Sequence, residues 1–231
     1  RALLGSGDAF RHIVSLVPLL LHLNHPALPG YVEDAPAGIA DFILSNYQQN
    51  FLSKEHPELV EYVQSAVNSD AVFTPILGIY VMGSFGSISQ TSASDLDIWI
   101  CHQDDLSEQD QQRLAEKTKK ITQWASTFHV EMHFYLMTQK RFRNERYSDP
   151  LTKENSGSAQ YMLLLEEFYR SAVRLSGKPL LWLHLWVEDE KQYEAEVARL
   201  VAEGELNPND WVDFGGLGQF SASEYFGASL W

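Results

Sequence analysis

The chain has 231 residues, 45% hydrophobic and 21% charged, a globular balance that excludes disordered, collagen-like and fibrous classes and allows one large or two small domains. Its 17 Lys and Arg against 31 Asp and Glu give a net charge of −14, which disfavours a nucleic-acid partner because affinity for a phosphate backbone rests on basic side chains. Cys101 is the only cysteine, which excludes an intrachain disulfide and a multi-cysteine zinc site and leads us to expect a reducing, cytoplasmic setting.

The first 70 residues carry helical signals. Residues 8–23 have apolar side chains at helical spacing up to Pro18, and the cluster His25-Pro26-Ala27-Leu28-Pro29-Gly30 ends them. This apolar stretch, broken by Pro18 and His22, is too short to span a bilayer, which takes about 20 residues. No signal peptide is evident. Pro57 suits the first turn of a helix running to about Val67. The start at Arg1 and the stop at Trp231, inside an expected helix, read as a fragment of a longer protein.

The pattern changes at Pro75. Residues 76–82 and 95–101 are short apolar runs rich in β-branched residues, and both predict core strands. Ser107 and Asp110 resemble a capping box opening a helix of about twenty residues, with Leu106, Leu114, Ile121, Trp124 and Phe128 as its apolar stripe. Lys117, Lys119 and Lys120 read as a solvated basic face of that helix. Residues 130–137 alternate, which sets Glu131, His133 and Tyr135 on the face opposite Val130, Met132, Phe134 and Leu136. Residues 141–158 read as a polar loop. A helix is predicted over 159–176 with Gly177 as its stop, and a fourth strand over 180–187, where Trp182 and Trp186 share a face. Helices are predicted over 190–203 and from Ser221 onward. The expected architecture is α+β: a mixed sheet of strands 76–82, 95–101, 130–137 and 180–187 with packed helices and helical segments at both chain ends. The expected divisions are a helical segment over 1–70, a catalytic core over 71–190 and a C-terminal helical segment over 191–231.

The chemistry concentrates in GSFGSISQTSASDLDIWI. Residues two apart on a strand share a face, so Asp95 and Asp97 present two carboxylates side by side while Leu96 and Ile98 enter the core. Two like charges that close repel, and a divalent cation relieves the repulsion. Mg²⁺ takes carboxylate oxygens together with substrate phosphates, and paired ions of this kind serve phosphoryl chemistry. Glu131 is the best-placed third carboxylate, although an isolated acid on a strand's polar face is also what simple exposure produces. Gly83 allows close approach of a phosphate, and the Ser84 hydroxyl can donate to one. Neither a P-loop nor a dinucleotide fingerprint is present. The eight scattered histidines show no zinc spacing, and His102 and His133 read as structural.

The Gly-Ser step, the Asp-x-Asp and the later acidic strand resemble the nucleotidyltransferase superfamily that includes DNA polymerase beta. More narrowly, YVMGSFGSISQTSASDLDIWICHQ, LLLEEFYRSAVRLSGKPLLW and DFGGLGQFSASEYFGASLW resemble the N-terminal catalytic half of bacterial class I adenylate cyclases, over nearly the whole chain. The resemblance implies a nucleotidyltransferase-like fold that converts ATP to cyclic AMP and pyrophosphate. It implies that Gly83 and Ser84 hold phosphates, that Asp95, Asp97 and Glu131 bind Mg²⁺ or Mn²⁺, and that a regulatory C-terminal region follows Trp231. Arg170 and Arg174, on one face of the predicted helix, can reach a triphosphate, but Glu166 and Glu167 stand at ion-pair spacing from Arg170. Lys178 is either a further phosphate ligand or a compensator of the helix dipole, and Ser156 and Ser158 read as caps. Two rivals share the residues: a transferase with an external acceptor, and a non-enzymatic nucleotide-sensing module.

Overall fold

The computed structural model describes residues 7–67, 74–82, 96–146, 167–185, 187 and 190–216. They fall into two compact units, residues 1–178 and 179–231.

In the first unit, α1 (Asp8–His22) is built around an apolar stripe, and Phe10, Ile13, Val14, Leu16, Val17, Leu19, Leu20 and Leu21 are all buried. Pro18 sits inside this helix and removes one of its backbone donors. The sequence reading passes over α2 (Asn46–Glu55), which a capping box starts: Gln48 N–H donates to Ser45 Oγ at 3.3 Å and Ser45 N–H to Gln48 Oε1 at 2.9 Å. A 3₁₀ turn over Pro57–Leu59 leads into α3 (Val60–Val67).

The sheet contains β1 (Ile76–Met82), β2 (Leu96–His102), β3 (Met132–Met137) and β4 (Val173–Gly177) in the order β3-β2-β1-β4. β1 is antiparallel to β2 and to β4, and β2 is parallel to β3. The parallel pair requires a crossover. This is α4 (Glu108–Ser126), capped by Ser107, whose Oγ accepts the Asp110 N–H at 3.1 Å, and turned into β3 by His129 in the left-handed region at φ 59°. Ile79, Val81, Leu96, Ile98, Ile100 and Met132 pack with α1, Leu114, Ile121 and Ala125 in one core. The N-terminal helices and the sheet therefore share their hydrophobic interior.

Three expectations fail. The predicted helix over 159–176 ends early: residues 167–171 are helical and β4 follows directly. Leu175, within the span predicted as helix, packs on the shared core from an irregular position, because the register shifts between Ile79 and Tyr80 as β1 pairs with Ser176 and Arg174. Gly177 is a strand terminus at φ 85°, where a Cβ would collide with Leu77 O and Gly78 Cα. Among the described residues of 180–187 none joins the sheet: Leu181–Leu183 is a 3₁₀ turn, and Leu180 makes a single bridge to Val212. Finally, the expected loop over 141–158 starts as a helix, α5 (Gln139–Arg146), in which the Arg141 N–H donates to Thr138 Oγ1 at 3.1 Å and Phe142 is fully buried. The second unit holds the Leu180–Val212 bridge, α6 (Glu190–Ala202) and Tyr193, whose hydroxyl donates to Asp213 Oδ1 at 2.9 Å. Trp186, Ser156, Ser158 and the helix expected from Ser221 lie outside the described residues.

Lys117 is also corrected. It is 1% exposed, and its Nζ donates to Leu23 O at 2.9 Å and to Asn24 Oδ1 at 3.2 Å, tying α4 to the chain leaving α1. Burial lowers its pKa to about 8, against an ordinary lysine value of about 10.4. Between those values the unfolded chain binds more protons than the native one, so Lys117 makes folding more favourable as pH rises through this window. Relative to Lys117→Met, the wild type should gain roughly 2 kcal/mol between pH 7 and pH 10, read from urea midpoints. A stability difference that ignores pH would contradict an ammonium buried at this position.

Candidate functional site

Gly83, Ser84 and Asp95 lie outside the described residues, whereas Asp97 and Glu131 lie within them. β2 is buried along its length except at Asp97, which is half-buried. Alternation sends Leu96, Ile98 and Ile100 to the shared core and Asp97, Trp99 and Cys101 to the second face. On that face the register aligns Met82 and His133 with Asp97, and Tyr80 and Tyr135 with Trp99. Met82, the residue before Gly83 in the sequence, is the last of β1 and pairs with Asp97.

Glu131 immediately precedes β3, and its carbonyl accepts the Leu96 N–H at 3.0 Å, which ties its backbone to the strand that carries Asp97. Its carboxylate is exposed, with Oε1 at 3.4 Å from His133 Nε2. Met132, the next residue, is buried in the core, and by strand parity Glu131 and His133 share the Asp97 face. Asp97, two places into β2, and Glu131, one residue ahead of β3, thus stand toward the same end of these adjacent strands, linked through His133, which pairs with Asp97 and contacts Glu131. Two carboxylates and a nearby hydroxyl are hard oxygen donors of the kind Mg²⁺ and Mn²⁺ take. Among the described residues no cluster of three or more metal-ligating side chains forms; Asp95, the expected third member, is not among them.

The basic residues separate. Arg170 stands in the helical turn 167–171 and Arg174 on β4 opposite Tyr80, so they do not share a helix face. Both are exposed, and Arg174 pairs with the C-terminal half of β1, although its guanidinium turns toward the Gly177 end of β4. The Arg174 Nη1 donates to Gly177 O at 3.3 Å. Lys178 is carried the other way. Its N–H donates to Leu77 O at 2.9 Å, five residues back along β1 from Met82, or about 16 Å at strand rise.

An aromatic sandwich closes the second face behind the acids. Trp99 lies between Tyr135, with ring centroids 5.1 Å apart and planes at 24°, and Phe168 at 4.5 Å and 21°. Phe142 of α5 meets the Trp99 ring edge-on at 6.2 Å, and the Trp99 Nε1 donates to Met82 Sδ at 2.8 Å. The Tyr135 hydroxyl donates to Asp97 Oδ1 at 3.4 Å. Sequence reasoning places Tyr135 on the correct face but assigns it no part. The signal is present in the spacing, since Tyr135 follows Glu131 by four residues on the acidic face of one strand.

These features define an α+β domain in which a mixed sheet presents carboxylates toward one end of adjacent strands. Against known proteins, the family described as adenylate cyclase NT domain matches residues 1–183. Relatives named adenylate cyclase are 68% identical in Haemophilus influenzae, 60% in Pasteurella multocida and 43% in Escherichia coli K12, each over 100% of this chain. The chain spans 28%, 28% and 27% of the lengths of these relatives, respectively. A solved structure described as a toxin-antitoxin with AMP-PNP is 13% identical with a TM-score of 0.25, covering 64% of this chain and 86% of that one, a likeness too slight to assign a fold. The chain belongs to the adenylate cyclase N-terminal domain family. No described helix is long and apolar enough to cross a membrane.

Because Trp99 is 1% exposed and Phe168 is fully buried against it, Trp99→Ala should cost about 3–5 kcal/mol in urea unfolding, with a similar loss for Phe168→Ala. The double variant should lose less than the sum, since both truncations empty one stack. Strict additivity would contradict direct contact between these rings.

Proposed function

We propose that this chain carries the catalytic site of an adenylate cyclase, which converts ATP to 3′,5′-cyclic AMP and pyrophosphate. The observation that carries this reading is the placement of Asp97 on β2 opposite His133, with Glu131 just ahead of β3 in contact with that histidine, in a chain similar along its whole length to proteins named adenylate cyclase. Asp97, Glu131 and Asp95 are the proposed holders of Mg²⁺ or Mn²⁺, which when bound acidifies the ribose 3′-hydroxyl and neutralises charge on the triphosphate. Gly83 and Ser84, next in sequence after Met82, are proposed to cradle the phosphates through a close backbone approach and a donated hydroxyl. Arg170, and Arg174 on release of its Nη1 from Gly177 O, are proposed to hold the outer phosphates. Lys178, at the far end of β4, is not included in this site. A regulatory region is proposed in the part of the longer protein that this chain does not span.

In the reaction the ribose 3′-oxygen forms a bond to the α-phosphorus, the bond from that phosphorus to pyrophosphate breaks, and the hydroxyl proton leaves to water. Nucleophile and electrophile belong to one molecule, so the task of the side chains is to fold the nucleotide with the 3′-oxygen about 3 to 3.5 Å from phosphorus and in line with the leaving group. No second substrate cleft is required. The protein with ATP and Mg²⁺ or Mn²⁺ should therefore release cyclic AMP and pyrophosphate one for one without an added acceptor, and 3′-deoxy-ATP should bind without reacting. Asp97→Asn should lower this turnover by more than roughly 100-fold, beyond the loss typical of an outer-shell partner. Pyrophosphate release from the deoxy analogue, or a requirement for an acceptor, would replace the cyclase reading with a nucleotidyl transfer to an external group.

A further inference from the structure

Two contacts of Tyr135 are separable. Its ring lies on Trp99, which is backed in turn by Phe168, a packing that does not use the hydroxyl. A phenylalanine would satisfy that packing equally well. The hydroxyl adds nothing to the stack; it is directed at Asp97 Oδ1, 3.4 Å away. The register explains the reach, since Tyr135 pairs with Trp99 and Asp97 stands two residues earlier, the diagonal neighbour that a long side chain spans across adjacent strands. His133, which stands directly opposite Asp97 in the register, has its Nε2 turned to Glu131. The two acids on this face thus each meet a different β3 side chain.

We infer that Tyr135 is a positioning residue for Asp97, its hydroxyl fixing the orientation of the carboxylate that receives the divalent cation. The inference rests on the metal-binding reading of Asp97 proposed above. Partners of this kind, which hold a ligand and do not touch the metal, are a recurring part of such sites, and their removal typically weakens metal affinity 10- to 100-fold. A separation of 3.4 Å is longer than the usual ~2.7–2.8 Å between two oxygens, and hydrogen bonds at catalytic sites commonly tighten only when the site is loaded. The stacked ring limits how far the hydroxyl must travel to do so.

The test is Mn²⁺ affinity measured by electron paramagnetic resonance of the free ion, without nucleotide, for the wild type, Tyr135→Phe and Asp97→Asn, together with thermal unfolding of each metal-free protein. Tyr135→Phe should raise the Mn²⁺ Kd roughly tenfold while its metal-free unfolding midpoint stays at the wild-type value, and Asp97→Asn should weaken binding further. Wild-type affinity in Tyr135→Phe alongside weakened binding in Asp97→Asn would overturn the positioning role and leave the metal reading standing. Weakened binding accompanied by a lowered metal-free midpoint would also overturn it, because the hydroxyl would then be serving the fold. Wild-type affinity in Asp97→Asn would remove the metal reading itself, and the role of Tyr135 with it.

Discussion

A strand buried on both faces has no place for a charge except near its end, and β2 carries one there. Leu96, Ile98 and Ile100 are 0% exposed on the core face, and Trp99 and Cys101 are 1% exposed on the other, so water reaches the strand's one carboxylate only where the sheet stops. Burying a carboxylate without partners is costly. Asp97 meets a tyrosine hydroxyl, with a second acid on the adjoining strand. The rest of this end of the sheet is arranged around that position: β1 finishes opposite it, β3 begins beside it, and β4 starts one strand beyond β1.

What keeps the arrangement in place is packing away from the acids. On one side α1 and α4 fill the core beneath Ile79, Val81, Ile98 and Ile100. On the other, Trp99 binds three separate segments together through Tyr135, Phe142 and Phe168. Phe168 is two residues from Arg170, so the stack that steadies the acid-bearing strands also anchors the segment leading to the arginines. Buried Lys117 contributes from further away by tying α4 to the chain leaving α1.

The central strands and the acidic pair are legible in the sequence because each signal is local and unopposed. Residues 76–82 and 95–101 are apolar runs too short for helices, the second observed one residue later as β2, and the parity of Asp97 with Trp99 and of Glu131 with Tyr135 follows from a period of two. β4 is hidden for an equally local reason. Phe168, Ala172 and Leu175 fall at helical spacing, and the irregular pairing near Leu175 breaks the alternation that would have marked a strand. Residues 180–187 mislead in the opposite sense, since their apolar run serves a 3₁₀ turn. Lys117 was readable, because Leu114, Lys117 and Ile121 lie on one helical stripe, but the neighbouring lysines make it resemble a solvated run. No pattern could place Arg170 and Arg174 on different elements without first locating the break at Ala172.

The proposed divalent cation belongs at the Asp97 end of the sheet and not at the Lys178 end. Paramagnetic broadening by Mn²⁺ reads this directly, because each backbone amide loses intensity steeply with its proximity to the ion. Titration of the isotope-labelled protein should broaden Met82, Leu96, Asp97, Met132 and His133 first and leave Gly78, Cys101, Met137 and Gly177 sharp. Broadening that begins at Gly78 and Gly177, or that spreads evenly over the acidic surface, would contradict it.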